Sequence, residues 1–278
     1  MHTIHDIALS MEFLTPSDRR KLFEYFGNSE QIYTEPLLKI QRILGKRRTL
    51  HPEFVEEAKK INDFILRSGI QVLRFDDVIF PLQLKCFDDY PFMIFLRGDR
   101  NLLSYKMAAV IGTRKPSEIG REVACTMVQT LKPFNYAVVS GLAKGIDSIA
   151  HQAALDIKIP TIGILGCGID MIYPKESRQL AVKMIESGNL LISEYPPGSR
   201  PHRWHFPERN RLIAALSSIV LPRSIGTVCI LRKNAWRNAD FMYIINLILL
   251  TPRITNTAKI KELQKLNITV TVDMWLIS

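Results

Sequence analysis

Ala137-Val138-Val139-Ser140-Gly141-Leu142-Ala143-Lys144-Gly145-Ile146-Asp147 is the stretch on which the fold is decided. A short apolar, β-branched run ends in a glycine-bracketed turn, and the turn opens a helical segment. The same rhythm recurs on either side, because Ala108 to Gly112, Thr161 to Gly166 and Leu190 to Glu194 read as strands with amphipathic segments between them. Strands that are apolar on both faces and alternate with helices predict a parallel sheet covered on each side. The expected fold class is therefore α/β, a Rossmann-like, mostly parallel sheet with helices on both faces.

Toward the N-terminus, Gln71 to Phe75 and Phe92 to Leu96 are two more β-rich runs, separated by a stretch with Pro81 and Pro91. Before Gly69 the apolar residues fall at helical spacing, as in Ile7, Phe13, Leu22, Phe23 and Phe26, then Phe54, Val55, Ala58, Ile61 and Ile65. Ser17-Asp18 after Pro16 marks a helix start, and Gly27-Asn28 and Gly69 mark stops. Residues 1–68 are thus expected to form a small all-helical domain, with Lys46-Arg47-Arg48 in a solvated turn, and residues 69–221 the α/β domain. From Pro222 the rhythm is lost. Residues 222–278 carry Arg223, Arg232, Lys233, Arg237, Arg253, Lys259, Lys261 and Lys265 against Asp240, Glu262 and Asp273.

The 278 residues are 47% hydrophobic, enough for a full α/β core, and carry a formal net charge of +10. That charge favours a polyanionic partner over a neutral metabolite. Cys86, Cys125, Cys167 and Cys229 lie far apart with no C-x-x-C pair, so neither a metal site nor a disulfide framework is expected, and a reducing, cytoplasmic setting fits. The N-terminal residues do not read as a signal peptide, and the apolar run around Phe241 to Leu250 is too short to cross a bilayer, so no membrane partner is expected.

In a parallel sheet, ligands gather at the carboxyl ends of the strands, where loops lead into helix N-termini that attract anions. The first strand ends in Gly112-Thr113-Arg114-Lys115, the second in Ser140-Gly141-Leu142-Ala143-Lys144-Gly145, and the third in Gly166-Cys167-Gly168 followed by Tyr173, Pro174 and Lys175. Three small-residue loops with Arg114, Lys115, Lys144 and Lys175 at one edge form an anion-binding rim. Taken singly, each glycine is as well explained by an ordinary strand-to-helix turn. The segment from Ser199 to Arg211 interleaves Arg200, His202, Arg203, Trp204, His205, Phe206, Arg209, Asn210 and Arg211, the composition with which single-strand binding meets phosphates and bases. A helix from Glu208 to Leu216 would place Arg209 and Asn210 in its first turn; the bland reading is a solvated helix face.

Neither G-x-G-x-x-G after the first strand nor G-x-x-x-x-G-K-[ST] occurs, which argues against a dinucleotide or ATP cofactor. Ser140, Asp147 and His151 are triad residue types, but Ser140 is outside any G-x-S-x-G. Asp147 and His151, four apart on a helix, are expected to pair with each other. His202 and His205 lack metal-ligand spacing, Cys167 reads as a small buried residue, and Asp76-Asp77 and Asp88-Asp89 read as turns. No catalytic or metal-binding residue is expected.

These residues together resemble the DNA-processing protein A (DprA/Smf) family. The resemblance rests on Ile111 to Arg114, on Ser140 to Asp147 with Ala150-His151 and Ala154-Leu155, on Tyr173-Pro174, Ser193-Glu194 and Pro197-Gly198, and on Phe206 to Ile213. It runs from about Gly69 to Leu221; the helical region is similar to the family's small N-terminal (SAM-like) domain in size and place. The resemblance implies single-stranded DNA as ligand, a homodimer, loading of the RecA recombinase during natural transformation, and no cofactor or catalytic step. Carried over, the DNA-contacting residues are Arg114, then Ser140, Gly141, Lys144 and Gly145, then Arg209, Asn210 and Arg211. Gly112, Lys115, Lys175 and Phe206 are added from charge, position and ring chemistry. After Leu221 the family's next strand and Ser-Gly-Ser/Thr block are missing, which points to a frameshifted or decayed gene end. Two alternatives stay open: a nucleotide phosphoribohydrolase-type enzyme on a related scaffold, although its Pro-Gly-Gly-x-Gly-Thr run is not found, and a non-functional remnant.

Overall fold

The computed structural model describes residues 2–45, 48–224 and 227–228. Five helices come first: α1 (Ile4–Met11), α2 (Pro16–Phe26), α3 (Ser29–Thr34), α4 (Leu37–Leu44) and α5 (Glu53–Ser68). Their ends follow local chemistry. Thr3 caps α1 in a reciprocal box with Asp6, and Thr15 caps α2 ahead of Pro16, two residues earlier than the expected Ser17-Asp18 start. Gly27 and Gly69 end α2 and α5 in the left-handed conformation, while Asn28 caps α3.

The strands are β1 (Gln71–Arg74), β2 (Met93–Gly98), β3 (Lys106–Ile111), β4 (Tyr136–Ser140), β5 (Thr161–Leu165), β6 (Leu190–Ser193), β7 (Ile219–Ser224) and β8 (Thr227–Val228). They form one sheet in the order β1-β2-β6-β5-β4-β3-β7-β8. The strands β6, β5, β4, β3 and β7 are mutually parallel, whereas β1, β2 and β8 add antiparallel edges. The helices α6 (Glu118–Leu131), α7 (Ile146–Asp156), α8 (Arg178–Glu186) and α9 (His205–Leu216) connect them. The expected α/β, mostly parallel Rossmann-like sheet is thus observed.

The period-2 alternation of the central strands sorts their side chains into two cores. Ala108, Val110 and Val138 pack with Ala124, Val128, Ala150 and Ala154 of α6 and α7. Met107, Ala109, Ala137 and Val139 join Leu212, Ile213 and Ala215 of α9 on the other face, in a cluster that reaches Ile7, Leu22 and Phe26 of the N-terminal helices. Parallel strands covered on both faces are what continuous apolar runs require.

The chain departs from expectation at its far end. Backbone pairing continues past Leu221, with β7 beside β3 in the register Ile111 to Pro222. The remainder of the expected divergent segment, 229–278, lies outside the described residues. Among the described residues no helix is long and apolar enough to cross a membrane.

His151 does not pair with Asp147. It lies fully buried on α7, its Nδ1 2.7 Å from the Thr161 hydroxyl, which in turn donates to the Val138 carbonyl. Its Nε2 has no partner among the described residues. Burial first, and the Arg209 charge second, push this imidazole down to about 3. The unfolded chain binds the proton at about 6.5, so stability is complete above that pH and falls as pH drops from there toward the folded value. Between pH 7 and pH 5 this one group should cost about 2 kcal/mol. Urea unfolding at both pH values checks it: His151→Gln should lose less stability on acidification than the parent, and an equal loss rejects the assignment.

Candidate nucleic-acid interface

Because β3, β4 and β5 are parallel, their three carboxyl-end loops share one edge, as the sequence predicts. The strand order reverses at β3, which has β4 on one side and β7 on the other, and this places the switch point beside the Gly112 to Lys115 loop. The first two loops are joined directly. Gly145, at φ +85°, lies so close to the first loop that a Cβ would sit 2.2 Å from the Thr113 carbonyl, and the Ile146 N–H donates to that carbonyl at 3.1 Å. Gly112 is as tightly enclosed, since a Cβ there would meet the Ile146 side chain at 2.7 Å.

The backbone amides that were expected to receive phosphates already have an anion. The Asp147 carboxylate, at the start of α7, accepts the Gly141 N–H at 3.1 Å, and the N–H groups of Ala143 and Gly112 also face it. Burial pushes this carboxyl up and the Arg209 guanidinium down from their ordinary values, each offset by the other's charge. Arg209 donates to the carbonyls of Gly141 and Ile164, at the ends of β4 and β5, and is buried. Gly141 exists for this contact: a Cβ there would lie 2.5 Å from the guanidinium.

Arg209 therefore points into the interior, not to the outer surface of the rim. The helix starts at His205 instead of Glu208, so Arg209 falls beyond the first turn, and helical phase sets it on one face with the buried Leu212, Ile213 and Leu216. Arg211 is likewise engaged internally, with Glu194 and, at 3.3 Å, with Asp89. Ser140 is buried and donates to the Val110 carbonyl at 2.7 Å. These three residues and Gly141 hold the loops from below.

What remains on the outer surface is a set of side chains. Arg114, Lys115, Lys144 and Lys175 are exposed, with Lys144 paired to Glu176 at 2.5 Å, a contact that ties the second loop to the third. Asn210 is half-buried. Phe206 is half-buried too, with its ring 5.5 Å from that of Tyr173 and set against Gly166 at the end of β5. Cys167 is buried, and burial pushes its thiol up to about 11, which leaves it a small core residue.

The sequence reading named His202, Trp204 and His205 but neither Tyr195 nor the way these rings stack. Tyr195 and His205 stack with centroids 3.9 Å apart, and His202 and Trp204 stack at 4.7 Å, which lines four rings along the segment that leads into α9. The density of rings between Tyr195 and Phe206 was the available signal; their mutual stacking depends on the turns at 197–198 and 203–204 and was not.

Residues 71–224 match the family model of DNA recombination-mediator protein A. The chain is 38% identical over 155 residues to the DNA processing protein DprA of Bacillus subtilis, a match over 55% of this chain and 52% of that protein. It is 37% identical over 207 residues to DprA of Streptococcus pneumoniae, over 73% and 71% respectively. It thus spans about half the length of the first relative. The crystal structure of DNA processing protein A from Streptococcus pneumoniae superposes with a TM-score of 0.62 at 34% identity, over 80% of this chain and 77% of that one. DNA processing protein A from Helicobacter pylori, solved for its single-stranded DNA binding mode, superposes with a TM-score of 0.52 at 25% identity, over 70% and 87%.

The buried pair should dominate the response of stability to substitution. Gly141→Ala must displace the guanidinium, and Arg209→Met removes the charge that offsets the buried Asp147 and leaves the Gly141 and Ile164 carbonyls without their donor, so each should cost about 3 kcal/mol. Arg114→Ala, on the exposed loop, should change stability by less than about 0.5 kcal/mol. Urea midpoints of the three variants against the parent decide this; an Arg209→Met protein as stable as the parent would show that the pair is dispensable.

Proposed function

The chain belongs to the DNA recombination-mediator protein A family, and from that premise we propose that it holds single-stranded DNA along the carboxyl-end rim of its parallel sheet. The observation that carries this reading is the crowding of Arg114, Lys115, Lys144 and Lys175 onto loops that share one edge and are bonded to one another. With the amide nest filled by Asp147, phosphate attraction falls to these side chains, and binding is correspondingly dependent on salt. Phe206 and Tyr173 offer ring faces beside them for bases. Gly112, Ser140, Gly141, Gly145, Arg209 and Arg211 serve by shaping the loops, and Asn210 stands at their margin. The relatives' names, and the single-stranded DNA binding of the Helicobacter pylori protein, support the same ligand.

By analogy with the family, the wider role in this reading is protection of incoming single strands and loading of the RecA recombinase in natural transformation, by a cytoplasmic homodimer that binds without catalysing a reaction. In this reading 1–68 is an accessory helical domain and 69–221 the DNA-binding one.

Titration of a labelled single-stranded oligonucleotide at several salt concentrations tests the rim. Arg114→Ala and Lys115→Ala should each weaken binding and flatten the slope of log affinity against log salt by about 0.7 for each phosphate no longer neutralised. Glu176→Gln should strengthen binding, because it releases Lys144 from its pair. Affinity and slope that ignore all three substitutions would reject the rim as the binding surface.

A further inference from the structure

We propose that the cleft between the N-terminal helices and the 195–208 segment receives an unstacked nucleobase from the strand that the rim holds. The proposal rests on the reading of the rim as a DNA surface and extends the path beyond the sheet. The cleft has a volume of about 440 Å³. One wall carries Phe13, which is 77% exposed and set edge-on to His51 and against Phe54. The other carries Trp204, 60% exposed, lying parallel to His202 at an interplanar angle of 10°. Two large flat rings left mostly in water on facing elements are costly unless something covers them.

Charge selects the occupant. The cleft is lined by Glu12, Glu57 and Glu208 against Arg19 and Arg200, so it does not attract a phosphate. Glu12 is already satisfied by the Tyr33 hydroxyl and by His51, and Glu208 accepts the Tyr195 hydroxyl, whereas Glu57 is exposed at the mouth. A carboxylate beside aromatic walls suits a flat, uncharged group that carries N–H donors, which describes a base with an exocyclic amine. The rings hold one another in place, so stacking requires little further ordering.

The cleft is continuous with the rim. Phe206 rests against Gly166 at the end of β5, and the adjacent His205 has its Nδ1 3.2 Å from the Gly166 carbonyl. His205 then stacks on Tyr195 and meets Trp204 edge-on, so adjacent residues lead from the strand ends to the cleft wall.

The test uses the full chain with Trp236 and Trp275 replaced by Phe, which leaves Trp204 as the sole tryptophan. Oligomers of deoxycytidine and of deoxyadenosine are compared with an abasic oligomer of equal length, by Trp204 fluorescence and by anisotropy of an end label. Base-bearing oligomers should quench Trp204, and the abasic oligomer should bind without quenching. Phe13→Ala, and Trp204→Ala read by anisotropy, should each weaken the base-bearing oligomers about tenfold and leave abasic binding and the salt slope unchanged. Both side chains are largely in water, so neither truncation threatens the fold, and Trp204→Phe should restore most of the affinity. Equal quenching by the abasic oligomer overturns the proposal. So does unchanged affinity in Phe13→Ala and Trp204→Ala where Arg114→Ala still weakens binding, a result that leaves the rim reading intact. If Arg114→Ala is also without effect, the rim reading fails together with it.

Discussion

A guanidinium buried against the ends of two strands organises the rest of this molecule. Arg209 reaches from α9 to the carbonyls of Gly141 and Ile164, which as strand-terminal groups would otherwise be buried without partners. A charge in that position is costly on its own. It is tolerated because Asp147, equally buried, stands near enough for the two to offset each other, and because Asp147 is itself held by backbone N–H groups. Three sequence features follow from this one pair: a residue without Cβ at 141, an acidic residue at the start of α7, and a helix α9 docked across β3, β4 and β5.

The same pair bears on the proposed ligand recognition. In many parallel α/β sheets a ligand phosphate takes the amides at a helix N-terminus. Here the protein's own carboxylate, at the start of α7, takes the amides of the two loops that precede the helices, and the loops become an internally satisfied platform. Attraction for a polyanion then has to come from flexible side chains mounted on that platform, Arg114 and Lys115 above all, because Lys144 is shared with Glu176. Long cationic side chains follow a phosphate backbone without demanding one geometry, which suits a strand read without regard to sequence.

Much of the fold was legible because it depends on periodicity. Each central strand alternates its side chains between two cores, and the runs of apolar residues that this requires are visible in the sequence. Helix ends at Gly27 and Gly69 were legible for a similar reason, since only a left-handed turn needs glycine there. The site was less so. Glycines at 112, 141 and 145 signal a tight place, but the sequence does not say whether a ligand or another part of the chain fills it, and here Ile146, Arg209 and the first loop do. Arg209 shares the i, i+3, i+4, i+7 face of Leu212, Ile213 and Leu216, so its burial was legible from helical phase, but its residue type and the rings beside it argued for the surface. Asp147 and His151 have the spacing of a helical pair, yet each found a better partner on the sheet side.

The N-terminal helices are bound to the sheet by contacts that sequence pattern does not reveal. Arg74 on β1 pairs with the buried Asp6 of α1 at 2.8 Å while its guanidinium lies 4.3 Å from the Phe23 ring centre, and Phe23 packs edge-on to Phe75 and Phe92. Arg20 of α2 donates to the carbonyls of Asp88 and Tyr90, and neighbouring Asp89 pairs with Arg211 of α9. A chain of charged hydrogen bonds therefore runs from α2 through the 88–90 turn to α9, the helix that also carries Arg209. Side chains held this way on both partners keep the helices and the 195–208 segment in register with each other.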